Sequence, residues 1–103
     1  MLLEVAEVEC VPGMEEEFAD IMNAGGGLSD LAQCKGVVSV RLGRGVEDPS
    51  TFLLNVVWTS IEDHMAARSL APFKAFSARF ANLTSGGRVS HYEMDEPIPG
   101  ASA

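Results

Sequence analysis

Basic residues are scarce: seven Lys and Arg stand against 15 Asp and Glu in 103 residues, a formal charge of −8. A chain this acidic repels a phosphate backbone and an anionic membrane surface, so nucleic acid and membrane are excluded as partners. Cysteine is almost as rare. Cys10 and Cys34 form no CxxC and have no histidine nearby at ligand spacing, so they read as two reduced, buried thiols, with no metal site implied. No apolar run approaches the ~18 residues of a membrane span. The opening residues carry no basic segment and meet Glu4 at once, unlike a secretory leader, so a cytoplasmic location is expected. There are only two histidines, one tryptophan and one tyrosine, so each is worth weighing singly.

Apolar residues, by contrast, are abundant at 47%. The length suits one small domain, which buries a limited core of its own. Surplus apolar surface therefore points to a second subunit. One domain is expected over residues 1–95, with a loose tail over 96–103 (EPIPGASA).

Leu2 to Val11 alternates as a strand and ends at Pro12-Gly13. Met14 to Asn23 reads as a helix, with Glu15, Glu16 and Glu17 in the first turn, where carboxylates favour the helix dipole. The triple glycine Gly25 to Gly27 has no lysine or GxxxxGK pattern beside it, so it reads as a kink rather than a phosphate cradle. Leu28 and Leu31 resume the apolar stripe until Lys35-Gly36 closes it. Val37 to Leu42 and Thr51 to Trp58 are expected to form a hairpin. In the second of these strands Phe52, Leu54, Val56 and Trp58 share one face and Leu53, Asn55 and Val57 the other. Both faces are largely apolar, so both call for cover.

Ser60 to Asp63 fits a capping box opening a short helix to about Ser69. Pro72 suits the start of another helix, whose stripe is Phe73, Phe76, Phe80 and Leu83. Gly86-Gly87 reads as a turn, and Val89 to Met94 as the last strand. The order is βαββαβ with its second helical region split. That order predicts an α+β, ferredoxin-like antiparallel sheet with helices on one face.

Val11 to Phe18 (VPGMEEEF), then Glu47-Asp48-Pro49-Ser50, Leu53-Leu54, Trp58, Ser60, Glu62-Asp63-His64, Arg68, Phe73 and Val89 to Tyr92 together carry a resemblance. In order and spacing the chain resembles the antibiotic-biosynthesis monooxygenase family of dimeric α+β barrel proteins, over nearly its whole length to about Met94. The resemblance implies a homodimer whose sheets form a barrel, with a small-molecule cleft between sheet and helices. Characterised members of that family include cofactor-free oxygenases acting on phenolic polyketides or quinols, haem-degrading enzymes and a signal-molecule isomerase; a small apolar or aromatic ligand and no cofactor are expected here. Two branches fit poorly. Where the haem-degrading enzymes carry a tryptophan and a histidine, this chain has Ala67 and Ser77, and its first strand lacks their asparagine. The polyketide oxygenases pair an asparagine with a tryptophan four residues later. Here Asn55 precedes Trp58 by three, which puts the two on opposite faces.

His64 is the candidate base, since an imidazole titrates near neutrality; its structural alternative is to tie strand to helix. Trp58, Phe73 and Phe76 are candidate substrate-binding walls, or simply core. His91 and Tyr92 must face opposite ways, one into the cleft and one into the barrel. Asn55 either touches ligand or specifies dimer register. Arg68 either binds an anionic substrate group or, as expected on so acidic a chain, joins an intramolecular ion pair. The function so expected is a cofactor-independent monooxygenase. The alternatives are a non-catalytic ligand-binding or stress-associated dimer, and an isomerase or cyclase using the same base.

Overall fold

A computed structural model describes residues 1–102. Its element order is β1 (Leu2–Cys10), α1 (Glu15–Met22), α2 (Gly27–Ala32), β2 (Val37–Arg44), β3 (Thr51–Trp58), α3 (Ile61–Ala67), α4 (Ala71–Phe80) and β4 (Thr84–Glu93). The four strands form one antiparallel sheet in the order β2-β3-β1-β4, the ferredoxin-like arrangement that the element order implies. No helix among the described residues is long and apolar enough to cross a membrane.

The alternation of β1 and β3 decides where the core sits. Leu2, Ala6 and Cys10 of β1 and Phe52, Leu54, Val56 and Trp58 of β3 are buried on the helix side. They pack against Phe18 and Met22 of α1, Leu31 of α2, Phe76 of α4, and Cys34 in the turn between α2 and β2. Aromatic contacts join the two layers: Phe18 lies 4.8 Å from Phe52 and 5.9 Å from Phe80, ring centre to ring centre. Both cysteines are free and buried, and burial pushes each thiol above its ordinary pKa.

The opposite face of the sheet carries Leu3, Val5, Leu53, Asn55, Val57 and Tyr92, and no helix among the described residues lies over it. Leu53 is 37% and Tyr92 52% exposed there, while the Asn55 carboxamide oxygen is buried without a hydrogen-bond partner.

One local expectation needs correction. Gly86-Gly87 is not a turn: both residues lie inside β4, opposite Glu9 and Val8 of β1. A Cβ on Gly87 would stand 2.2 Å from the Glu7 carbonyl oxygen, so glycine here permits a close strand approach. The chain reverses instead over residues 81–83, which lengthens β4 at its start. The glycine at Gly36, by contrast, does shape a turn. Its φ is +92°, a Cβ there would meet the Asp63 side chain at 2.5 Å, and its carbonyl accepts the Thr59 N–H.

Candidate active site

Three neighbouring strands and one short helix bring four polar or aromatic side chains together. Trp58 ends β3 opposite Leu2 of β1, and Glu4 lies two residues further along β1 on the same face. In β4 the residue opposite Glu4 is His91. His64 comes from α3, which begins sharply because Ser60 is in extended geometry (φ −160°, ψ 163°) and its hydroxyl accepts the Asp63 N–H at 3.1 Å. The reciprocal half of the expected capping box does not form. The Asp63 carboxylate accepts from the Thr59 hydroxyl instead, and this bond also ties α3 to the end of β3.

That start turns His64 inward. It is 2% exposed, and its ring meets the fully buried Trp58 indole edge to face at 4.9 Å. The indole N–H donates to Glu4 Oε1 at 2.9 Å. The same oxygen lies 3.4 Å from His64 Nδ1 without forming a hydrogen bond, and Nδ1 is otherwise without a partner. On the far side of the ring, His64 Nε2 is 3.0 Å from Nε2 of His91. His91 is open to solvent, whereas the Glu4 side chain is only 12% exposed.

Burial pushes the His64 pKa below its ordinary value. The Glu4 carboxylate opposes that shift, while His91 and Arg68 reinforce it. The net shift favours the neutral imidazole. A carboxylate beside Nδ1 favours a proton on that nitrogen, which leaves Nε2 as the acceptor and His91 Nε2–H as the donor.

Next to this group a cleft of about 290 Å³ opens between α4 and the sheet. Phe73, Phe76 and Phe80 form one wall, Ala6, Val8, Leu54 and Val89 the other, and Glu4 reaches in at one end. Phe76 ties the aromatic wall together, with ring centres 6.1 Å from Phe73 and 4.9 Å from Phe80. Trp58, His64 and His91 do not line the cleft; they group around Glu4 at its end. His91 is two residues along β4 from Val89, on the same face. A broader depression of about 700 Å³ lies at the other end of the sheet. Its two arginines are engaged, Arg44 with Glu16 and Arg88 with Glu7.

Of the residues singled out from sequence, Trp58, His64, His91, Phe73 and Phe76 therefore gather on the helix side. Asn55 and Tyr92 lie on the open face, away from the cleft. Arg68 is exposed and makes no ion pair among the described residues, contrary to expectation; its charge acts on His64 from a distance. Glu4 was missed altogether. Its signal was a carboxylate at an inward position of β1, in line with Leu2, Ala6 and Cys10, where a charge needs a partner.

A family model described as antibiotic biosynthesis monooxygenase matches residues 1–79, a span that includes Glu4, Trp58 and His64 but not His91. Among curated proteins, none matches the chain. Solved structures share the fold at low identity. A candidate antibiotic biosynthesis monooxygenase from Bordetella bronchiseptica is 23% identical, with a TM-score of 0.81 over 92% of this chain and 97% of that one. One from Deinococcus radiodurans is 13% identical, with a TM-score of 0.79 over 99% and 100%. SnoaB, a cofactor-independent oxygenase from Streptomyces nogalater, is 16% identical, with a TM-score of 0.79 over 96% and 97%.

Proposed function

Because the chain belongs to the antibiotic biosynthesis monooxygenase family, we propose that it is a cofactor-independent monooxygenase acting on a small phenolic or quinol-like ring. The ring lies between α4 and the sheet. The observation that carries this reading is the Glu4–His64–His91 array, whose Glu4 lines one end of a cleft walled by phenylalanines. An apolar slot with few, convergent polar groups suits a planar aromatic ligand.

The chemistry follows from the tautomers. His91 donates through Nε2 and keeps a lone pair on Nδ1. That lone pair takes the substrate's hydroxyl proton while the Nε2 proton passes to His64, and the resulting imidazolium rests beside the Glu4 carboxylate. Glu4 thus offsets the cost of charging a buried ring. His64 is the buried base of the pair, reached through His91. The phenolate transfers one electron to dioxygen, and the two radicals join in a C–O bond. The peroxide anion takes the proton back from His64 through His91, and the hydroperoxide so formed then loses water to leave a carbonyl. One oxygen atom enters the substrate and the other leaves as water, with all four electrons supplied by the substrate. Orientation and exclusion of water are the protein's further contributions.

A homodimer is part of the same proposal. Leu53, Val57 and Tyr92 leave an apolar sheet face uncovered, and the buried, partnerless Asn55 oxygen sits in its middle. A second copy packed sheet against sheet would cover the face and give that oxygen a donor.

Oxygen uptake with a panel of phenols and quinols tests the reading. One oxygen molecule should be consumed per carbonyl product, and His91→Ala should slow turnover by about 10²–10⁴-fold, the usual worth of general base catalysis. If ligands bind the cleft yet none consumes oxygen, the oxygenase assignment fails. A binding protein, or an isomerase using the same base, then takes its place.

A further inference from the structure

We propose that His64 and His91 form a binding site for a divalent first-row transition metal of the zinc, copper or nickel type, with Glu4 orienting the buried ligand. Two nitrogens bound to one ion at ~2.0–2.1 Å must lie close together. The two Nε2 atoms here are 3.0 Å apart, a spacing adjacent ligands can adopt. Imidazole pairs suit zinc, copper and nickel rather than magnesium or calcium, which prefer oxygen.

The second observation is the far side of the His64 ring. A metal-bound imidazole usually donates its other N–H to a carboxylate, which fixes the ring and strengthens the ligand. His64 Nδ1 is buried, faces Glu4 Oε1 at 3.4 Å and has no other partner. Glu4 is held in place by the Trp58 indole N–H. The carboxylate–histidine half of such a site is therefore built into the core, and a small tightening completes its hydrogen bond. The ligand atoms offered by Glu4, His64 and His91 all lie within 4.8 Å of one another.

His91 lies on the solvent-exposed edge strand, so an ion can reach the pair, and water or a small ligand can fill its remaining positions. The acidic chain attracts cations, and Glu4 supplies the local negative charge. An ion on the two Nε2 atoms displaces the proton that the rings share. Metal loading and the proton relay are therefore mutually exclusive.

The test uses the whole chain without a histidine tag, stripped with chelator and titrated with Co²⁺, with Zn²⁺ as competitor. One ion per chain should bind, with visible ligand-field absorption and shifts of the Nε2 rather than Nδ1 resonances of both rings in ¹⁵N spectra. His91→Ala, at an exposed position, should abolish the absorption while circular dichroism stays unchanged. Glu4→Gln should weaken Zn²⁺ binding by about 10–100-fold, the usual effect of removing a ligand's carboxylate partner. No absorption with wild-type protein, or binding undiminished in His91→Ala, overturns the site; equal affinity in Glu4→Gln overturns the role of Glu4. None of these readouts needs substrate, so the result stands apart from the oxygenase reading.

Discussion

At the scale of the residue, Glu4 bears on more of its neighbours than its place in a strand suggests. It accepts the indole N–H of Trp58, faces His64 Nδ1 and reaches the cleft. Glu4→Ala leaves a buried N–H without an acceptor and should cost about 1–3 kcal/mol, the usual penalty for a buried unsatisfied donor; urea unfolding measures it. His64 has its own signature. Its pKa in the folded chain is lowered by burial, against the pull of Glu4 and with the help of His91 and Arg68. Above the ~6.5 of an unfolded histidine neither state binds a proton, and this contribution to stability is complete. As pH falls through that value the unfolded chain takes up a proton first, so stability declines. The melting temperature should drop between pH ~7 and pH ~5, and His64→Leu should shrink the His64 share of that drop. An unchanged slope in the variant would assign the whole decline to other groups.

At the scale of the element, α3 is short and depends on its first turn. Seven residues form few internal hydrogen bonds, so the Ser60 cap and the Thr59–Asp63 bond carry much of its local definition. Ser60→Ala should lower stability by about 1 kcal/mol and loosen His64, seen as a change in the His64 ring resonances. Serine to glycine at this position should cost only a few tenths. The helix α4 is defined differently. Its phenylalanine stripe packs on α1 and the sheet, and Arg79 anchors it to Asp30 and to the Gly25 carbonyl near α2. The cleft wall is therefore held at its far end by α1 and α2, independently of α3.

At the scale of the whole molecule, one face of the sheet is covered by the chain's own helices and the other is not. The dimer proposed for that open face should bury more than ~2,000 Å² in total, as obligate interfaces do. Sedimentation should show a dimer at micromolar concentration, and Val57→Lys should yield monomers or unfolded chain. A wild-type chain that sediments as a stable monomer would sink the idea. Haem turnover is not expected, since Ala67 is fully buried and Ser77 lines the cleft where the haem-degrading enzymes carry a tryptophan and a histidine. Haem loss with reductant should match that of haem alone.

Much of the fold was legible in the residues because it rests on local and periodic rules. The two-residue alternation of Phe52 to Trp58 determined which side of β3 meets the helices. The Phe73, Phe76 and Phe80 spacing determined the apolar face of α4, and Ser60 determined where α3 begins. The family resemblance was legible too, being a matter of order and spacing. What sequence alone could not decide was which distant residues meet. Glu4, Trp58, His64 and His91 are scattered from one end of the chain to the other. Only the β3-β1-β4 pairing, with α3 folded back over the end of β3, brings them together. Gly86-Gly87 failed as a turn signal for the same reason, since glycine's freedom serves turns and close strand contacts alike and only the neighbouring Glu7 carbonyl distinguishes them. Side-chain periodicity is a property of one segment, whereas a site is a property of several, and its distances are set by sheet register.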